Sequence, residues 1–145
     1  MVTSGTVTEP LVARHGAGTV TFVARLQLRD LCGVRSGDKG DRSDLTLFAD
    51  DEAAYEALLA AVTPEAVAEH FGNLVAGPVE RYEVPNIWAV KFVMAGALGG
   101  GGPRSLRSDN LGKTLGGALL RLWVDVPDEV ADAAPRRGRR APLDA

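Results

Sequence analysis

The residues best equipped for chemistry lie in Gly33-Val-Arg-Ser-Gly-Asp-Lys-Gly-Asp-Arg-Ser43, a glycine-rich, charged stretch expected to be a loop between two apolar, strand-like runs. Glycines permit positive φ and close backbone approach, and here Arg35 and Lys39 alternate with Asp38, with Ser36, Gly37 and Gly40 between them. Such a loop can read an anionic group through its cations and N–H groups. A solvated connection whose charges pair with one another fits the same residue types. Two further elements carry matching chemistry: the run Gly99, Gly100, Gly101 and Gly102, and the start of a last helix flanked by Arg104, Arg107 and Lys113. Helix N-termini present free N–H groups and partial positive charge. If the three elements meet at one end of a sheet, they suit a phosphate, a carboxylate or the phosphates of a thioester-linked cofactor. The glycine run read as a plain linker is the simpler account of its composition.

Other chemistries are poorly supplied. Leu111-Gly-Lys-Thr114 imitates the end of a phosphate-binding P-loop, but the first glycine of that pattern falls on Arg107 and no apolar strand leads into it. Triad hydrolysis would have to use His15 or His70. Cys32 stands beside the charged stretch, where cations would lower its pKa, but a lone cysteine at a strand end is more often a small core residue. Asp38, Asp41 and Asp44 could gather a hard cation, yet their spacing is not that of an EF-hand and Lys39 and Arg42 are interleaved. Ion pairing within the loop is expected instead, and no metal.

The elements that must position these groups follow from periodicity. Thr19 to Leu28 alternates as a half-buried strand, and Leu45 and Leu47 continue the pattern on a second. Asp50 or Asp51 caps a helix with Ala54, Tyr55, Leu58, Leu59 and Val62 on one face; Thr63 and Pro64 open another, with Val67 and Phe71, which Gly72 stops. Val79 to Val84 and Ile87 to Ala95 read as a hairpin through Pro85-Asn86. The last helix opens at Ser108 or Asp109 and carries Leu111, Leu115, Leu119 and Leu122, interrupted by Gly112, Gly116 and Gly117, a sign of close approach by another backbone or a ligand. The order strand, strand, helix, strand, strand, helix predicts an α+β fold, a permuted ferredoxin-like sandwich (ββαββα) with a four-stranded antiparallel sheet and helices on one face. Its other face would carry Val23, Phe48, Ile87, Ala89 and Val93, more apolar surface than a monomer normally shows to water, so a homo-oligomer or a partner is expected there.

The chain has 145 residues, enough for one domain, expected at 19–126, with a mobile arm at 1–18 and a disordered tail at 127–145. Net charge is −3, although Pro135 to Ala145 alone holds four arginines and one aspartate, so the body is strongly acidic and a nucleic-acid partner is not expected. The single cysteine fits a reducing cytoplasm. No apolar run approaches the roughly 20 residues of a membrane span, and the start lacks a secretory pattern.

At Arg35-Ser-Gly-Asp-Lys-Gly40, Val79-Glu-Arg-Tyr-Glu-Val-Pro-Asn86 and Gly96-Ala-Leu-Gly-Gly-Gly101 the chain resembles the ferredoxin-fold domain at the C-terminal end of the acyclic terpene utilisation (AtuA) family, from about Leu28 to about Leu122. The resemblance implies the sheet-plus-two-helices fold and a link to breakdown of isoprenoid or branched acids as coenzyme A thioesters. By position it marks Arg35 to Gly40, Asn86, Gly96, Gly99 to Gly101, Ser105, Arg107, Asp109, Gly112 and Lys113. The chain departs at Lys91 and Ala95, where the family often has asparagine and histidine, and at Asp41 and Asp44, where it often has asparagines. It is expected to stand alone, without the large domain that precedes this one in AtuA. The expectation is an accessory or ligand-binding protein acting with a larger AtuA-type subunit. It needs no cofactor, and a coenzyme A thioester is the candidate ligand for Arg35, Lys39, Arg107 and Lys113. Alternatives are a lyase or hydratase, with Asp38 as base, Lys39 as stabiliser and glycine N–H groups as oxyanion donors, and a purely structural oligomerisation domain.

Overall fold

In the computed structural model, which describes residues 11–15, 19–101 and 113–134, seven strands form two antiparallel sheets. The larger joins β3 (Cys32–Lys39), β4 (Arg42–Ala49), β6 (Ala89–Met94) and β5 (Val79–Val84), in that order across the sheet. Helices α1 (Glu52–Ala61) and α2 (Pro64–Phe71) carry the chain from β4 to β5 and leave β6 paired between these two parallel strands; α3 (Leu115–Leu119) follows β6. This is the expected permuted ferredoxin-like arrangement.

The helices form where the caps predict. Asp51 accepts the Ala54 N–H at 2.8 Å and Thr63 the Ala66 N–H at 3.1 Å, with Pro64 in the first turn of α2 and Gly72 ending it at φ 55°. They bury Tyr55, Leu58, Val62 and Val67 against one side of the sheet, where Leu45, Leu47, Val90, Phe92 and Met94 point. Register explains the grouping, since Leu45 pairs with Phe92 and Leu47 with Val90. Arg81 rises from β5 on the same side and donates to the Leu59 and Val62 carbonyls at 2.8 and 3.1 Å, satisfying acceptors at the end of α1.

Several expectations are corrected. Gly33 to Ser43 is not a loop: it comprises most of β3, a two-residue turn at Gly40-Asp41 and the start of β4, because eight consecutive residue pairs from Cys32↔Ala49 to Lys39↔Arg42 keep it extended despite its glycines and charges. Thr19 to Gln27, expected in the main sheet, is β2 of a second sheet with β1 (Leu11–His15) and β7 (Trp123–Pro127), so Val23 does not share the outer face. Segments expected to lack structure thus contribute β1 and also α4 (Asp128–Ala133), whose neighbours include β2, β7 and α1. The expected start of the last helix, Ser108 or Asp109, lies outside the described residues, among which α3 begins at Leu115. Cys32 is a buried core residue. No helix among the described residues is long and apolar enough to cross a membrane.

Candidate functional site

Strand alternation divides the expected site residues between the two faces of β3. Cross-strand pairing sets Ser36 opposite Leu45 and Asp38 opposite Ser43, on the helix side, while Arg35, Gly37 and Lys39 sit opposite Thr46, Asp44 and Arg42 on the outer face. Asp38 and Lys39 therefore point to opposite sides of the sheet. The lyase reading, which needs Asp38 as base and Lys39 as stabiliser on one substrate, loses its geometry.

On the helix side, α3 closes over the β3 edge. Ser36 donates to the Lys113 carbonyl at 2.7 Å, and Lys113 Nζ lies 3.3 Å from Asp38 Oδ1. Gly116 permits this approach, because a Cβ there would stand 3.1 Å from both Val34 methyls and 3.2 Å from Ser36 Oγ. Asp38 thus pairs with Lys113 rather than with a cation of its own stretch. On the outer face Asp44 pairs with Lys91 at 3.4 Å, and Gly37 makes room for that carboxylate: a Cβ there would fall 2.8 Å from Asp44 Oδ1. The aspartates of this stretch find partners distant in the chain, not the neighbouring cations expected for them. Among the described residues no group of His, Cys, Asp or Glu is placed to hold a metal.

The third aspartate makes the decisive contact. The β3–β4 turn and the glycine run meet at one end of the sheet, as expected if both border the same strand ends. Asp41 Oδ1 accepts the N–H groups of Leu98 at 3.1 Å and Gly100 at 2.7 Å, and the Asp41 carbonyl accepts that of Ala97 at 3.1 Å. Backbone donors assigned to a bound anion are engaged by a carboxylate of the chain itself. Gly101, at φ 87°, packs so closely on the turn that a Cβ would be 2.7 Å from the Gly40 oxygen. Sequence reasoning left Asp41 among interleaved charges; its signal was the glycine run, which needs an acceptor for its N–H groups once ordered. An asparagine at this position would offer an amide oxygen to the same two donors.

Replacing Asp41 by alanine is expected to cost roughly 1–3 kcal/mol in urea unfolding, because the partly buried Leu98 N–H and the exposed Gly100 N–H lose a charged acceptor. Asp41→Asn should recover most of that loss. An alanine variant as stable as the parent would show that the contact contributes nothing.

What remains exposed at this end is Lys39, Gly40, Arg42, Gly99 and Gly100; Arg35 is exposed two rows away on the flat sheet face. Arg107, the remaining expected ligand cation, lies outside the described residues. Of the expected interface set, Phe48, Ala89 and Val93 share the outer face, whereas Ile87 sits in the single 3-10 turn Pro85–Ile87 and is 54% exposed. Trp88 follows it at φ 51°, an uncommon backbone state for a bulky side chain, and precedes β6 although the strand was expected to begin at Ile87. Also outward-facing is Tyr82, whose hydroxyl donates to the Glu80 carboxylate; that hydrogen bond, then the Glu80 charge, holds the phenol above its ordinary pKa.

Compared with known proteins, residues 26–125 match the family described as AtuA ferredoxin-like domain. No curated protein and no solved structure matches the chain.

Proposed function

Because this chain belongs to the AtuA ferredoxin-like domain family, we propose that it is an accessory protein that works beside a larger AtuA-type chain in the breakdown of isoprenoid or branched acyl-coenzyme A compounds. Its contribution is to hold an anionic group at the glycine-run end of the sheet. The observation that supports this reading is the Asp41 clasp, which fixes the β3–β4 turn on the glycine run and leaves Lys39 and Arg42 exposed on one rigid edge. Two cations on an ordered turn lose less conformational freedom on binding than they would on a mobile loop. Since both are exposed, each contributes about 1 kcal/mol at most, and the larger chain must supply the rest of the site.

Titration with a coenzyme A thioester, with and without a large AtuA-type chain, tests the reading. Saturable binding that strengthens with the larger chain, weakens as salt rises, and weakens again in Lys39→Ala is expected. Indifference to salt and to Lys39→Ala, or failure of the two chains to associate, would overturn it.

A further inference from the structure

We propose that the outer face of the four-stranded sheet docks a second copy of this chain, the two sheets lying face to face about a two-fold axis that runs along the strands between β4 and β6. Rotation about that axis exchanges β3 with β5 and β4 with β6, so each cross-strand row of one copy lies over the same row of the other. The row through Phe48 reads Gly33, Phe48, Ala89, Val84 across the sheet, small and large alternately. The rotation sets Val84 over Gly33 of the second copy, a large residue against a small one, and Phe48 over Ala89 of the second copy, which is already 0% exposed in the single chain, so that Phe48 packs on the side chains around it. Phe48 is 37% exposed in the single chain, so it has surface to bury.

The next two rows carry opposite charges, and each lies over its own counterpart in the second copy. Arg35, Thr46, Lys91 and Tyr82 form one, and Gly37, Asp44, Val93 and Glu80 the other. Arg35 stands on one edge strand and makes no ion pair with a described residue, and the rotation carries it over the hydrogen-bonded Tyr82–Glu80 pair on the opposite edge of the second copy. A guanidinium there gains both an aromatic face and a carboxylate. The helical side offers no such match: α1, α2 and α4 carry seven carboxylates and neither lysine nor arginine, so two copies meeting through their helices would repel. The sheet footprint, about 20 Å on each side from strand spacing and rise, is small for a specific interface, and the dimer is therefore reversible. Lys39 and Arg42 lie on the same face in the row beyond Gly37 and Asp44, outside the three docking rows, and the proposal does not rest on the function proposed for them.

Sedimentation equilibrium of the full chain over micromolar to millimolar concentrations is expected to show monomer and dimer in exchange. Phe48→Glu and Arg35→Glu should each weaken association by roughly tenfold or more, the effect of one interface hot spot, with thermal midpoints at low concentration close to that of the parent. Arg35→Glu combined with Glu80→Arg should restore association, which a merely unfolded variant would not. Thr46→Cys should be joined to its copy by a short bismaleimide, and Glu65→Cys on α2 should not. A monomer at every concentration, a dimer indifferent to these substitutions, or cross-linking through Glu65→Cys instead would overturn the proposal.

Discussion

Phe92→Ala is expected to destabilise the protein by about 3–5 kcal/mol, the range for emptying a fully buried aromatic site. Phe92 is 0% exposed, and its register partners are Leu45 on β4 and Arg81 on β5, so it lies at the centre of the packed side of the sheet beneath the helices. Small domains have total stabilities of roughly 5–15 kcal/mol, so this one change removes a large share. Urea unfolding should show a lower midpoint with an unchanged slope. The neighbouring Val93 points to the other face and is only partly buried, so Val93→Ala, measured at a concentration where the chain is monomeric, should cost less than about 1 kcal/mol. Equal losses for the two would mean that the outer face is packed as tightly as the inner one, and the assignment of faces would fall.

Gly101→Ala is expected to cost roughly 2–4 kcal/mol. Its φ of 87° lies in the region that side chains rarely adopt, and its Cβ would stand 2.7 Å from the Gly40 oxygen, a backbone atom that cannot swing aside. The same clash pushes the glycine run off the turn and strains the hydrogen bonds to Asp41. Gly101→Ala and Asp41→Ala disrupt one contact, so the double variant should lose clearly less than the sum of the two. Gly117 is the control: a Cβ there meets nothing within 4 Å in α3, and Gly117→Ala should stabilise by about 0.5–1 kcal/mol. Strict additivity in the double variant would show that the turn and the glycine run are held independently.

Local chemistry made much of the fold legible. Asp51, Thr63, Pro64 and Gly72 act through atoms within a few residues of themselves, so their caps and stops can be read in order along the chain. The hairpin through Pro85 and Asn86 follows from the same short-range logic. The alternation of Val90, Phe92 and Met94 is the period of a strand with one buried face, and all three are buried. These signals settle the type and order of α1, α2 and the β5–β6 hairpin.

Pairing was beyond their reach. Gly33 to Lys39 has a composition poor in strand formers, and what makes it a strand is the β4 backbone beside it, which no local propensity reports. Once it is extended, the two-residue period sends Asp38 and Lys39 to opposite faces and separates groups that look adjacent in the chain. Thr19 to Gln27 has a clear strand period, but periodicity does not name a partner, and its partners are β1, its neighbour in the chain, and β7, about a hundred residues on. Asp41 is the sharpest case. As a residue type it suits ion pairing, ligand binding or a turn equally; its role follows from donors at Leu98 and Gly100, 57 and 59 residues away, brought to its carboxylate only by the order β3-β4-β6 across the sheet. The sequence determined which groups were available at this end of the molecule, through short-range backbone preference; tertiary structure decided which of them meet, because a hydrogen bond or ion pair depends on distance in space and not on separation along the chain.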